Sequence, residues 1–118
     1  MKKTNLGYAF SGVIILAAIL WVYGRLEAYC YLYPSIDTKF AIGYTERAFK
    51  RVNFGMSSMQ VETMLGRPLF MTTNSNSTVE WDYSCDGKCW WGDFAWLGRV
   101  IVFSNTTVIA IQREIFYD

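Results

Sequence analysis

An uncharged run of 18 residues near the start of the chain, Leu6 to Tyr23 (LGYAFSGVIILAAILWVY), constrains the fold more than any other feature. Lys2 and Lys3 precede it and Arg25 is the first charge after it. As a helix the run spans about 27 Å, close to the hydrocarbon thickness of a bilayer. No polar face interrupts it, which argues against a helix half-buried on a globular core. The expectation is therefore a single-pass anchor over residues 1–24, with Leu6, Val13, Ile14, Ile15, Leu16, Ile19, Leu20 and Trp21 toward lipid. Trp21 and Tyr23 suit the headgroup region, as do Tyr29, Tyr31 and Tyr33 beyond them. The closing stretch WVYGRLEAYC offers no small-x-small cleavage site, so the run reads as retained rather than as a cleaved signal. Glu27-Ala28-Tyr29 before Cys30 does not match a Leu-Ala-Gly lipobox, which argues against lipidation. With Lys2 and Lys3 inside, the expected placement is a bacterial inner membrane, the N-terminus cytoplasmic and the C-terminal part periplasmic.

Beyond residue 24 the chain holds nine Lys/Arg against ten Asp/Glu and shows no basic stripe, so nucleic acid is not an expected partner. The composition, 53% hydrophobic and 18% aromatic, excludes a disordered chain. The sequence contains no histidine, which removes the commonest general base near neutral pH and the commonest transition-metal ligand. No cofactor, metal or small-molecule substrate is expected, and the chain is read as non-enzymatic.

Residues 25–43 read as a linker or leading segment broken by Pro34 and Ser35. Tyr44 to Val52 predicts a short helix with Tyr44, Ala48, Phe49 and Val52 on one side. Ser57 with Gln60 three residues later forms a capping box for a second helix, with Val61, Met64 and Leu65 inward and Gly66 and Pro68 ending it. Leu69 to Thr73 is a weak strand candidate. Thr78 to Ser84 alternates, with Val79, Trp81 and Tyr83 on one face. Arg99 to Ser104 and Val108 to Phe116 follow as strands around an Asn105-Thr106-Thr107 turn. The fold class is α+β: an N-terminal transmembrane helix, then a small ααβββ domain over 44–118 with two helices packed on an antiparallel sheet.

The stretch FGMSSMQVETMLGRP, from Phe54 to Pro68, resembles the signature of the SmpA/OmlA (BamE-like) family. Gly55, Met56, Ser57, Val61, Leu65, Gly66 and Pro68 carry the match, and Trp81-Asp82-Tyr83 is similar to the family's aromatic strand. The resemblance covers roughly residues 44–116. It implies an ααβββ domain in the bacterial periplasm with a scaffolding role in envelope assembly and no catalysis. Family lipoproteins sit on the outer membrane through an acylated cysteine, whereas this chain is read with a transmembrane anchor in that place.

Two local features bear on chemistry. Cys85-Asp86-Gly87-Lys88-Cys89 places two cysteines across a tight turn, and in an oxidising compartment a structural disulfide is expected. The alternatives are weaker: a redox dithiol would show CxxC at a helix N-terminus, and zinc would need two further ligands. Cys30 is left over as a free thiol at the membrane surface. Trp90, Trp91, Phe94 and Trp96 then crowd a glycine-punctuated stretch. They fit both core packing and a surface that contacts a partner or lipid headgroups. Glu80 and Asp82 share a strand face without a companion base, and Asn76-Ser77-Thr78 reads as a turn. The function expected is a membrane-anchored periplasmic protein-binding subunit that braces or helps assemble a larger membrane protein complex, with the lipid bilayer as its second partner. A BamE-like component of outer-membrane protein assembly and a periplasmic thiol oxidoreductase using Cys85 and Cys89 are the alternatives.

Overall fold

The computed structural model describes the backbone of residues 2–25 and 29–117, and the side chains of 7–22 and 29–117. Helix α1 (Lys2–Arg25) is followed by β1 (Thr38–Phe40), α2 (Glu46–Phe49), α3 (Ser58–Leu65), β2 (Phe70–Thr73), β3 (Val79–Asp82), β4 (Ser84–Asp86), β5 (Trp96–Ser104) and β6 (Thr107–Phe116).

The α+β class stands, but the architecture corrects the expected transmembrane helix and ααβββ domain. Among the described residues, no helix is long and apolar enough to cross a membrane. α1 runs from Lys2 to Arg25, but Lys2, Lys3, Thr4, Asn5 and Arg25 leave its ends polar. A bilayer core requires roughly 20 residues. Gly7, Tyr8, Ser11 and Gly12 further dilute the apolar surface, and the Ser11 hydroxyl turns back to donate to the Gly7 carbonyl at 2.9 Å. Leu6 and Tyr23, the ends of the expected span, lie outside the described side chains. Val13, Ile14, Ile15, Leu16, Ile19, Leu20 and Trp21 are helical and exposed. The single-pass assignment and the inner-membrane placement that rested on it therefore fall.

The sheet is also richer than a three-stranded meander. Two sheets form: a four-stranded one ordered β2-β3-β5-β6 and a two-stranded one pairing β1 with β4. β1 arises within the segment read as a linker, where Ile36 and Thr38 amides close turns onto the Tyr33 and Ser35 carbonyls and deliver Thr38–Phe40 to β4. Thr78 to Ser84, expected as one strand, changes partner at Tyr83. Its amide donates to the Arg99 carbonyl and its carbonyl accepts from the Ala41 amide, so the residue between β3 and β4 links the two sheets. The Asn105-Thr106 turn joins β5 to β6 with both residues at positive φ, the pattern of a two-residue I′ hairpin.

The helices form for the reasons read from sequence. Thr45 caps α2, and Ser57 caps α3 with the full capping box: the Gln60 amide donates to Ser57 Oγ and the Ser57 amide to Gln60 Oε1. Gly66 ends α3 at φ 74°, and a Cβ there would approach the Ile42 carbonyl to 3.0 Å, so only glycine suits the close passage. Phe49 and Val52 with Val61 and Leu65 cover one sheet face, meeting Trp81, Tyr83, Ile101, Phe103 and Val108. Met64 only borders this core. Tyr83 is fully buried, and its hydroxyl donates to the Gly66 carbonyl at 2.9 Å, tying the end of α3 to the strand beneath.

Candidate partner-binding surface

The loop between β4 and β5 (residues 87–95) carries the features singled out in the sequence, and its order comes from a residue far away. Asp37 is 2% exposed. Its Oδ1 accepts from the Cys89 amide at 2.6 Å and its Oδ2 from the Phe94 amide at 3.2 Å. The Asp37 carbonyl accepts from the Gly87 amide at 2.9 Å. At Gly87 an added Cβ would press on the Asp37–Thr38 backbone at 3.2–3.3 Å. Bonds to a carboxylate are the stronger class of hydrogen bond, and two backbone donors converge on this one. Inside the turn, Asp86 Oδ1 accepts from the Lys88 amide at 2.9 Å, an Asx turn that places Lys88 at φ 53°.

This arrangement replaces the expected disulfide. Cys85 and Cys89 are free thiols, as is Cys30. Cys85 lies in β4 opposite Lys39, while Cys89 is held by its backbone to Asp37. The loop is closed by a buried carboxylate instead of a sulfur bridge. Nothing in the cysteine spacing carries that information. Asp37 lies in the segment read as a linker, between Ser35 and Thr38-Lys39, and nothing in its neighbourhood marks it out.

The four aromatics divide. Trp90 is 92% exposed and Trp91 51% exposed. Phe94 is buried at 1% and meets the edge of Trp91 with ring centroids 4.9 Å apart. Trp96 opens β5 and stacks on Phe116 across the strand pair at 4.6 Å. Phe94 and Trp96 therefore build the loop's support, and Trp90 and Trp91 form its outer surface. Together with Asp86, Lys88 and Asp93 they border an open hollow of about 630 Å³ above Asp37. Among the described residues, no group of three or more His, Cys, Asp or Glu is placed to hold a metal ion.

Elsewhere the polar groups are structural. Glu46 accepts from the Tyr44 hydroxyl and from Arg99 Nε at 3.1 Å. Burial alone would raise its pKa, but these two bonds and the charges of Arg99 and Arg113 outweigh it and hold the carboxyl below its ordinary value. Burial, then the Glu46 contact, pushes the Tyr44 phenol upward, and burial chiefly does the same to Tyr83. Glu80 and Asp82 do lie two apart on one strand; burial first, and then Glu80, raises the Asp82 carboxyl. Glu80 accepts from Asn74 at 2.9 Å. Compared with known proteins, the chain matches no family model, no curated protein and no solved structure.

Proposed function

We propose that the chain is a non-catalytic protein-binding subunit of a larger assembly, with Trp90 and Trp91 as its anchor. The observation that carries this is a tryptophan almost fully in solvent on a loop pinned by a buried carboxylate. Tryptophan supplies a large contact area, and a loop already ordered loses little further entropy on docking. The uncovered apolar circumference of α1, from Phe10 to Leu20, adds a second surface that a partner chain would cover. The likeness of Phe54–Pro68 to the SmpA/OmlA signature agrees with a scaffolding role. A thiol oxidoreductase is less favoured, because Cys85 lies in a strand and Cys89 in a loop, not in a CxxC at a helix start.

The test is photo-crosslinking in the native cell from position 90, with position 75 on the opposite Asn74–Ser77 turn as control. A discrete adduct with another protein from position 90 alone, reduced by Trp91→Ser, is the expected result. A chain that yields no adduct and migrates as a lone monomer on native gels would overturn the reading.

A further inference from the structure

We propose that the free edge of β6, from Ile109 to Phe116, receives an extended segment of a partner protein that places a carboxylate on Arg113 between apolar side chains. This surface is separate from the tryptophan loop.

β6 is the last strand of its sheet. At its start the outer edge is already paired: Ser58 donates to the Thr106 carbonyl, Val108 to the Met56 carbonyl and Gly55 to the Val108 carbonyl. Among the described residues, no backbone or side-chain partner follows on that side from Ile109 onward. An incoming strand would continue the pairing that residues 55–58 begin. Beside this edge runs a groove of about 650 Å³ with an apolar wall of Phe40 and Tyr44, stacked at 4.7 Å, and Leu97 and Ile115, which are cross-strand neighbours. An alternate side chain of an added strand fits such a groove.

The charge arrangement selects the occupant. Arg99 and Arg113 lie directly opposite each other on β5 and β6. Like charges so placed repel unless a carboxylate intervenes. Glu46 is that carboxylate, but its Oε2 is committed to Arg99 and Tyr44. Arg113 rests with its guanidinium 5.4 Å from the centre of the Phe49 ring and has no ion pair within 4 Å among the described residues. Its planar fork of donors is suited to a carboxylate. Glu114 borders the groove but alternates to the other side of the strand. A second copy of the chain does not supply the missing acid. In a two-fold antiparallel pairing, opposite residues share a sheet face. Arg113 would then meet Ile109, Ile111, Arg113 or Ile115 of the other copy, never Glu114.

A display library of random decapeptides, selected on the full chain, tests this. The expected winners alternate apolar and polar residues and carry one Asp or Glu. Arg113→Glu should weaken the selected peptide by about tenfold or more, and changing the peptide's acid to Lys should restore binding to that variant. Ile115→Lys, which leaves the Arg113–Phe49 contact intact, should weaken it similarly. N-methylation of alternate peptide amides should abolish binding, and Trp90→Ala should leave it unchanged, so this inference and the tryptophan-loop reading can fail separately. Selection of no peptide, equal binding by Arg113→Glu, tolerance of N-methylation, or a solution dimer with protected β6 amides would each overturn it.

Discussion

Replacing Asp37 by alanine should release the 87–95 loop while the helix-covered core stays folded. The substitution removes two hydrogen bonds to a carboxylate, at 2.6 Å from the Cys89 amide and 3.2 Å from the Phe94 amide. Bonds to charged groups contribute about 1.5–3 kcal/mol each, so the pair holds the loop by about 3–6 kcal/mol. What remains to keep it closed is the Gly87 amide's bond to the Asp37 backbone carbonyl and the burial of Phe94, the latter about 2 kcal/mol. With the carboxylate gone the loop opens locally far more often, and it does so before the domain unfolds. A loss of about 3 kcal/mol in opening free energy is roughly a hundredfold in the opening equilibrium. Native-state hydrogen exchange reads that number directly at the Cys89 and Phe94 amides, with Val61 and Ile101 as core controls. Asp37→Asn keeps a neutral oxygen acceptor and should give about tenfold. If exchange at Cys89 and Phe94 in Asp37→Ala stays within about threefold of the parent, the carboxylate is not what orders the loop.

Three further outcomes are expected. Ser57→Ala should cost about 1 kcal/mol, because the Gln60 amide loses its acceptor and half the capping box goes with it; urea unfolding checks this. Thr106→Gly should stabilise by about 1 kcal/mol, since a β-branched residue sits at φ 63° in the β5–β6 turn, and the melting temperature should rise by roughly 5 °C. Glu46 has a folded pKa below 4.5, so its contribution is present above the unfolded pKa and is lost as pH falls through the folded one. Urea midpoints should therefore decline between about pH 5 and pH 2, with a shallower decline in Glu46→Gln. Asp82, raised above 3.8, acts with the opposite sign: its protonated form favours the fold in acid, and that advantage fades as pH rises through the folded value.

What was legible in the sequence was what is decided locally. The Ser57–Gln60 box, the Gly66 stop and the inward faces of α3 and β3 depend on residues within a turn or two of each other, and the structure has them. The Asn76 and Asn105 sites form turns, with Ser77, Asn105 and Thr106 at positive φ. Long-range partners were not legible. Apolar and polar residues alternate in the sequence from Val79 to Ser84, yet the backbone changes sheets at Tyr83 and Ser84 is buried beside it, because alternation does not report which strand lies alongside. The cysteine pair suggested a staple whose real agent stands 52 residues before Cys89. The aromatic run offered four candidates of equal standing, and only tertiary placement separated exposed Trp90 from buried Phe94. The uncharged run at the start was read as a span from its length, and among the described residues no helix is both long and apolar enough to cross a membrane.

The stretch from Asp37 to Ala41 organises more of the molecule than its three-residue strand suggests. Asp37 holds Cys89 and Phe94, Thr38 Oγ1 accepts from the Leu97 amide at 2.9 Å, and Ala41 donates to Tyr83 at the sheet crossover. Leu97 is also where the groove beside β6 begins, opposite Ile115. The tryptophan loop and the β6 groove are thus fastened to consecutive residues of one short segment. Opening of the loop in Asp37→Ala should therefore spread to Leu97 and stop short of Ile101, whose pairing with Trp81 and Ile111 lies deep in the sheet. Faster exchange that ends at Cys89 and Phe94, with Leu97 unmoved, would mean that Thr38 alone holds the start of β5 and that the two surfaces are mechanically separate.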